Sequence, residues 1–328
     1  MEAKKRIFSG MRPTGRLHLG NYLGALQNWV RLQDEYDCIY AVVDWHALTT
    51  GYEDTSQIRD NVREMVLDWL AAGLDPERSV LMVQSHVKQH AELHLLLSMV
   101  TPLGWVERVP TYKEQLRELA GREIATYGFL GYPVLQAADI LAYKAQYVPV
   151  GEDQVPHVEL TREIARRFNH YFGPVLPEPE VLLAQVKVLP GIDGRKMSKS
   201  YGNEIPMTAS PEEIQRQVLN MVTDPARIRR HDPGHPDVCV AHVFYQAIAS
   251  EMAGTVAEEC KNAAVGCVEC KKRLAGLVEE FIAPLRERRE RYASQPGLVR
   301  EILDDGANRA RKLAEATLQE VREAMRLW

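Results

Sequence analysis

The 328-residue chain predicts an α/β protein, a doubly wound parallel sheet with an appended C-terminal helical domain. Three observations carry that expectation. Short apolar, β-rich runs alternate with amphipathic helical stretches through the first half, the pattern of buried parallel strands joined by crossover helices. A Pro–Gly turn follows the first run, where ligands of such sheets bind. After Pro206 the apolar spacing turns mostly helical, with long charged stretches over 274–292 and 307–327.

Taken in order, the runs at 6–9, 38–43 and 80–84 read as strands. Between them Leu19, Tyr22, Leu23, Leu26, Trp29 and Val30 share one helical face, as do Ile58, Val62, Met65, Val66, Trp69 and Leu70. A further strand, Tyr147-Val148-Pro149-Val150, ends at Gly151. The acidic pair Glu152 and Asp153 then opens a helix through Val155, Val158, Ile164 and Phe168, where the helix dipole tolerates negative charge. The Pro-rich stretch 172–180 reads as a connector. The chain divides into an α/β unit, 1–195, and a helical unit, 196–328.

Hydrophobic residues at 45% and charged residues at 26% exclude a disordered or fibrous chain. Residues 1–6 are polar, no signal peptide fits, and no run nears the ~18 apolar residues of a membrane span. The expectation is a soluble, cytoplasmic protein. A net charge of −5 argues against a general nucleic-acid coat, yet leaves room for local basic faces at Arg162, Arg166 and Arg167, at Arg227, Arg229 and Arg230, and at Lys271-Lys272-Arg273. Taken singly, such runs are more often solvated helix faces.

Two segments carry chemistry. In Pro13-Thr14-Gly15-Arg16-Leu17-His18-Leu19-Gly20-Asn21, Pro13 stiffens a turn whose glycines let backbone approach a ligand. His18 at the helix start keeps a ring N–H at either charge state, a donor for a phosphate oxygen. In Lys196-Met197-Ser198-Lys199-Ser200, two lysines and two hydroxyls form a cationic loop able to clamp the same phosphates. The spacing is neither that of a dinucleotide fingerprint nor that of a Gly-Lys-Ser/Thr phosphate loop.

The first segment resembles the HIGH motif of class I aminoacyl-tRNA synthetases in its Asn-ending form, and the second matches the family's KMSKS loop letter for letter. Three further stretches resemble the tryptophan-specific bacterial members: Asp44-Trp45-His46-Ala47-Leu48-Thr49, the run from Tyr132 through Gln136 and Asp139 to Leu141, and Val148-Pro149-Val150-Gly151-Glu152-Asp153-Gln154. The resemblance implies a Rossmann-like catalytic domain, activation of L-tryptophan by ATP with Mg²⁺, transfer to tRNA(Trp), and a homodimer. It implies that Arg12, Pro13, Thr14, Gly20 and Asn21 meet the nucleotide, that Gly151, Glu152 and Asp153 hold its ribose and adenine, and that Val188 adds to this site. Lys196 and Lys199, with Met197, Ser198 and Ser200 beside them, would neutralise the leaving pyrophosphate, His18 assisting.

Asp139 would accept the indole N–H, with Phe8, Tyr132, Gln136, Val148, Val150 and Gln154 completing the pocket; Gln136 stands where many members carry Met. A tyrosine-specific ligase, a nucleotidyltransferase of the same fold and a non-catalytic RNA-binding paralogue with a metal site are the competing expectations.

Cys38 lies in an apolar run and reads as core. The other four cysteines, Cys239, Cys260, Cys267 and Cys270, follow a C-x20-C-x6-C-x2-C spacing. Four thiolates suit tetrahedral zinc or an iron–sulfur cluster, and the spacing alone does not choose. Most tryptophan members lack these cysteines. Resemblance to the subset that has them implies a 4Fe–4S cluster in the C-terminal domain, near the anticodon-binding region, with Lys271-Lys272-Arg273 facing an RNA backbone.

Overall fold

The computed structural model describes residues 4–110, 112–113, 125–183 and 189–328. Among these, β1 (Arg6–Met11), β2 (Asp37–Val42), β3 (Ser79–Val83), β4 (Tyr147–Val150) and β5 (Glu180–Leu183) form one sheet in the order β3-β2-β1-β4-β5. Every pairing is parallel. The order reverses between β1 and β4, so the carboxyl ends of these two strands flank the crevice where an open α/β sheet takes its ligand.

The first-half helices are α1 over 19–32, whose middle turn Tyr22–Leu26 widens to π spacing, α2 (Asp44–Gly51), α3 (Ile58–Ala72), α4 (Gln89–Ser98), α5 (Leu103–Glu107), α6 (Tyr127–Leu141) and α7 (Val155–Phe172). The second half adds α8 (Pro211–Leu219), α9 (Val240–Ile248), α10 (Ser250–Lys261), α11 (Cys267–Ala293) and α12 (Leu298–Ala324). No helix among the described residues is long and apolar enough to cross a membrane.

Alternation on the strands sends Ile7, Tyr40 and Leu81 to one face and Phe8, Ile39 and Met82 to the other, all buried. On the first face Trp29 stacks on Tyr40 at 4.5 Å and meets Trp69 edge-on at 5.5 Å. The Tyr40 hydroxyl donates to the Trp29 carbonyl at 2.9 Å, which satisfies the one polar group this ring takes into the core. The same apolar cluster continues into Leu274, Val278 and Ile282 of α11, so the helical region shares a core with the sheet.

Helix α12 returns to cover the β3 edge. At Gly306 a Cβ would lie 1.9 Å from the Leu81 carbonyl oxygen, and only glycine permits so close an approach. An otherwise open strand edge is thereby closed.

One expectation needs correction. The stretch read as a connector over 172–180 ends in a fifth strand, β5. Four half-exposed residues at a sheet edge are too short for a period to register, so pairing with β4 reveals what the sequence pattern does not. The strand–Gly151–acidic pair–helix reading holds: Glu152–Gln154 form a 3₁₀ turn that leads into α7.

Candidate active site

A cavity of about 430 Å³ opens between the carboxyl ends of β1 and β4. From β1 and its end come Phe8 and Arg12, from α6 Tyr132, Gln136 and Asp139, and from β4 and the turn after it Val148, Val150, Gly151 and Gln154. The predicted tryptophan-pocket residues therefore line one space. Phe8 is stacked on Tyr143 at 5.6 Å, which fixes its ring at the cavity wall. Glu152 and Asp153 are exposed beside it.

Asp139 is the most constrained group there, with 1% of its surface exposed. Its carboxylate accepts from Gln84 Nε2 at 2.7 and 2.9 Å, from His46 Nε2 at 2.8 Å and from His90 Nδ1 at 2.5 Å. The far nitrogen of His90 meets the Tyr143 hydroxyl at 2.5 Å. A phenol hydroxyl that donates to Nε2 places the ring proton on Nδ1, aimed at Asp139. Burial pushes the Asp139 carboxyl upward, but the hydrogen bonds from His46 and His90 outweigh it and hold the group at about 2. It is an ionised acceptor at neutral pH, with two contacts on each oxygen because Gln84 is shared between them. Sequence reasoning singled out Asp139 and missed Gln84, His46 and His90. His46 lay inside a quoted motif, but the others come from separate elements with no local signature.

The first motif folds as a turn into α1. His18 is the N-cap: its Nδ1 accepts from the Asn21 amide at 3.2 Å, while Asn21 Oδ1 accepts from the His18 amide at 3.1 Å. Because Nδ1 accepts, the proton of the neutral ring sits on Nε2. Burial, then the nearby Lys199 charge, lowers His18 to about 4, so it is a neutral donor at physiological pH. Pro13 is buried and Gly15 adopts φ 81°, a left-handed conformation that favours glycine.

The second motif lies on the first. Lys199 Nζ donates to the Thr14 carbonyl, and a Cβ on Gly20 would stand 3.5 Å from Met197 Sδ. Just beyond the loop, the Ile205 carbonyl accepts from the Leu19 amide and the Met207 amide donates to the Leu17 carbonyl, each at 2.9 Å. Met197 is buried, whereas Lys196, Lys199 and Ser200 are exposed. Desolvation against the turn lowers the Lys199 pKa.

Asn203, 2% exposed, organises the loop from within. Its Oδ1 accepts from the Ser198 amide at 2.8 Å, and its Nδ2 donates to Asp193 Oδ1 at 2.7 Å and to the Lys196 carbonyl at 3.1 Å. A Cβ at Gly191 would come within 2.2 Å of that Nδ2. Asn203 was legible only as a residue shortly after the motif. Val188 lies outside the described residues.

The four late cysteines sit at the ends of successive helices: Cys239 before α9, Cys260 in the last turn of α10, Cys267 and Cys270 in the first turn of α11. Arg227 Nη1 points at Cys260 Sγ (3.7 Å) and Cys267 Sγ (3.9 Å), while its Nη2 donates to the Arg230 and Val265 carbonyls. Burial raises Cys270 to about 11, and Cys239, Cys260 and Cys267 lie near enough to push it the same way. Still, among the described residues no group of three or more His, Cys, Asp or Glu is arranged to hold a metal ion.

This combination of a parallel sheet, an Asn-type histidine turn and a lysine loop folded onto it defines a class. The chain matches the family described as tRNA synthetases class I (W and Y) over residues 1–283, and it belongs to that family. Tryptophan enzymes are among its relatives within the family. It is 53% identical to the tryptophan–tRNA ligase of Thermotoga maritima over 98% of this chain and 99% of that one, and 43% identical to that of Deinococcus radiodurans over 97% of each. The crystal structure of tryptophanyl-tRNA synthetase from Campylobacter jejuni complexed with ADP and tryptophan superposes with a TM-score of 0.89 at 34% identity, covering 98% of this chain and all of that one.

Proposed function

We propose that the chain activates L-tryptophan with ATP and Mg²⁺ to tryptophanyl-adenylate and transfers the amino acid to tRNA(Trp). The observation that carries this reading is Asp139, an ionised carboxylate held by three donors in a cavity beside the nucleotide turn. An indole N–H is a donor only, and the ionised carboxylate of Asp139, an acceptor only, is its complement. A side chain without such a donor would leave that acceptor facing an apolar ring.

In the reaction the tryptophan carboxylate attacks the α-phosphorus of ATP, the bond to the bridging oxygen breaks, and pyrophosphate leaves. No general base is needed, because an α-carboxyl group is already ionised at neutral pH. Rate then depends on position and on charge stabilisation. His18 offers a fixed Nε2–H donor, while Arg12, Pro13, Thr14, Gly20 and Asn21 shape the turn that receives the nucleotide. Lys196 and Lys199, with Met197, Ser198 and Ser200, bring positive charge and donors to the pyrophosphate. Gly151, Glu152 and Asp153 take the ribose and adenine, and Val188, outside the described residues, is assigned to the same nucleotide. We assign residues 1–195 to this chemistry and 196–328 to the lysine loop and the anticodon end of the tRNA.

The same reading gives Cys239, Cys260, Cys267 and Cys270 a 4Fe–4S cluster. One feature supports it: Arg227 turns its guanidinium toward two of the sulfurs, the kind of donor that tunes an iron–sulfur centre. A homodimer completes the proposal, supported by the exposed apolar side chains Leu95, Met99, Leu103 and Tyr127 on neighbouring elements.

The test is amino-acid-dependent ATP–pyrophosphate exchange on anaerobically purified protein, with iron and sulfide assayed on the same sample. Exchange with tryptophan alone is expected, and exchange with tyrosine instead, or with neither, overturns the assignment. Iron and sulfide in equal amounts near four per chain are expected; zinc in their place overturns the cluster.

A further inference from the structure

Among the described residues, the catalytic reading leaves a fully buried carboxylate unused. Asp68, on α3, has none of its surface exposed. Its Oδ2 accepts from the Leu17 amide at 2.6 Å, in the middle of the nucleotide turn and one residue before His18. Its Oδ1 accepts from Arg289 Nε at 2.8 Å, and Arg289 belongs to α11. The other arm of Arg289 holds Glu64, one helical turn back along α3. Arg16 and Lys199 are the other cations whose charge reaches Asp68 or is reached by it.

Two features make this more than a structural ion pair. The turn amide is held by a side chain and not by secondary structure, so the position of Leu17, and with it His18, follows the position of Asp68. Arg289, in turn, is carried by the same helix whose first turn holds Cys267 and Cys270, a helix that runs on through Pro284, where one backbone hydrogen bond is missing. From Cys270 to Arg289 is roughly 28 Å along the axis at 1.5 Å per residue. Helix α11 is therefore a strut with the cysteine group at one end and the nucleotide turn at the other.

Building on the activation reading above, we propose that Asp68 is a positioning residue for the nucleotide turn and that Arg289 makes its placement depend on how α11 is seated. Movement of the cysteine-bearing end is then felt at the ATP site without contact between the two. Arg288 provides an internal control. Its Nε donates to the Ala71 carbonyl at 2.7 Å, so it docks the same helix on α3 but leaves Asp68 untouched.

The experiment compares Arg289→Met, Arg289→Lys, Asp68→Asn and Arg288→Met in the full-length protein. It measures tryptophan-dependent ATP–pyrophosphate exchange, normalised to active sites by the adenylate burst, and ATP affinity by calorimetry. Arg289→Met and Asp68→Asn are expected to lower kcat/KM for ATP about tenfold per active site, with KM for tryptophan unchanged. Arg289→Lys, which keeps a cation at Asp68, should recover part of the loss, and Arg288→Met should cost thermal stability but not ATP parameters. If Arg289→Met and Arg288→Met behave alike, or if ATP and tryptophan parameters fall together, Asp68 is a structural group and the inference is wrong. Wild-type protein inactive with tryptophan overturns the activation reading and this inference together; active wild type with unaffected variants overturns this inference alone.

Discussion

Replacing Asp139 by asparagine tests the specificity argument at its centre. The change keeps shape and removes charge. The carboxylate offers about four lone-pair sites, and Gln84, His46 and His90 already make four contacts to them, Gln84 bridging both oxygens, so an indole N–H takes one of the two places that Gln84 shares. An asparagine oxygen offers two, while its NH₂ adds donors where donors already crowd. The resident donors compete for what remains, and the indole N–H, arriving last, has no acceptor. Losing one hydrogen bond to a charged group costs about 1.5–3 kcal/mol, or roughly 10- to 150-fold in kcat/KM for tryptophan. The assay is tryptophan-dependent ATP–pyrophosphate exchange with each substrate varied in turn. KM for ATP should stay within about twofold, since the hydrogen bonds of Asp139 reach neither the Pro13–Asn21 turn nor the lysine loop. An unchanged KM for tryptophan would refute the reasoning, as would a parallel loss in both substrates with fewer active sites. Stability offers a second readout. The folded-state pKa lies below the ordinary 3.8, so the contribution of Asp139 is present above that pH and lost as pH falls towards 2; the asparagine variant should lack this acid-labile component.

Three other outcomes follow from the geometry. His18, depressed from 6.5 to about 4, should add no inflection to the wild-type kcat/KM profile between pH 5 and 8, and its contribution to stability is present above 6.5 and lost as pH falls to about 4. A wild-type inflection near 6.5 that vanishes in His18→Gln contradicts this. Gly191→Ala drives a Cβ to 2.2 Å from the Asn203 amide and should cost about 5- to 100-fold in kcat through the loosened lysine loop, with KM for tryptophan little changed. Full activity in that variant removes Asn203 as the organiser of the loop. Gly306→Ala overpacks α12 against the Leu81 carbonyl and should lower stability by about 1–3 kcal/mol, read as a shifted urea midpoint. An unshifted midpoint means that the helix is free to slide.

Local chemistry was legible in the linear chain. Strand and helix periods, the Pro13–Gly15 turn, the Gly151 stop and the two lysines depend on neighbours a few residues apart, so their spacing carries their meaning. Asp139 could be picked out because its segment resembles that of the tryptophan-specific members. Its state could not. Gln84, His46 and His90 reach it from three other elements, and a carboxylate buried without them would be pushed towards neutrality. The same holds for Asn203, whose importance lies in a fold of the loop back on itself, and for β5, which exists because β4 offers it an edge.

The sequence by itself determined which residues have the right chemistry and which segments are helical or extended, because propensity and period act locally. Tertiary structure alone decided the protonation of His18 and Asp139, the seating of Lys199 on the Thr14 carbonyl and the pairing of Asp68 with Arg289, 221 residues away. These depend on burial and on charge at distances of a few ångströms, quantities that exist only once remote parts of the chain are packed together.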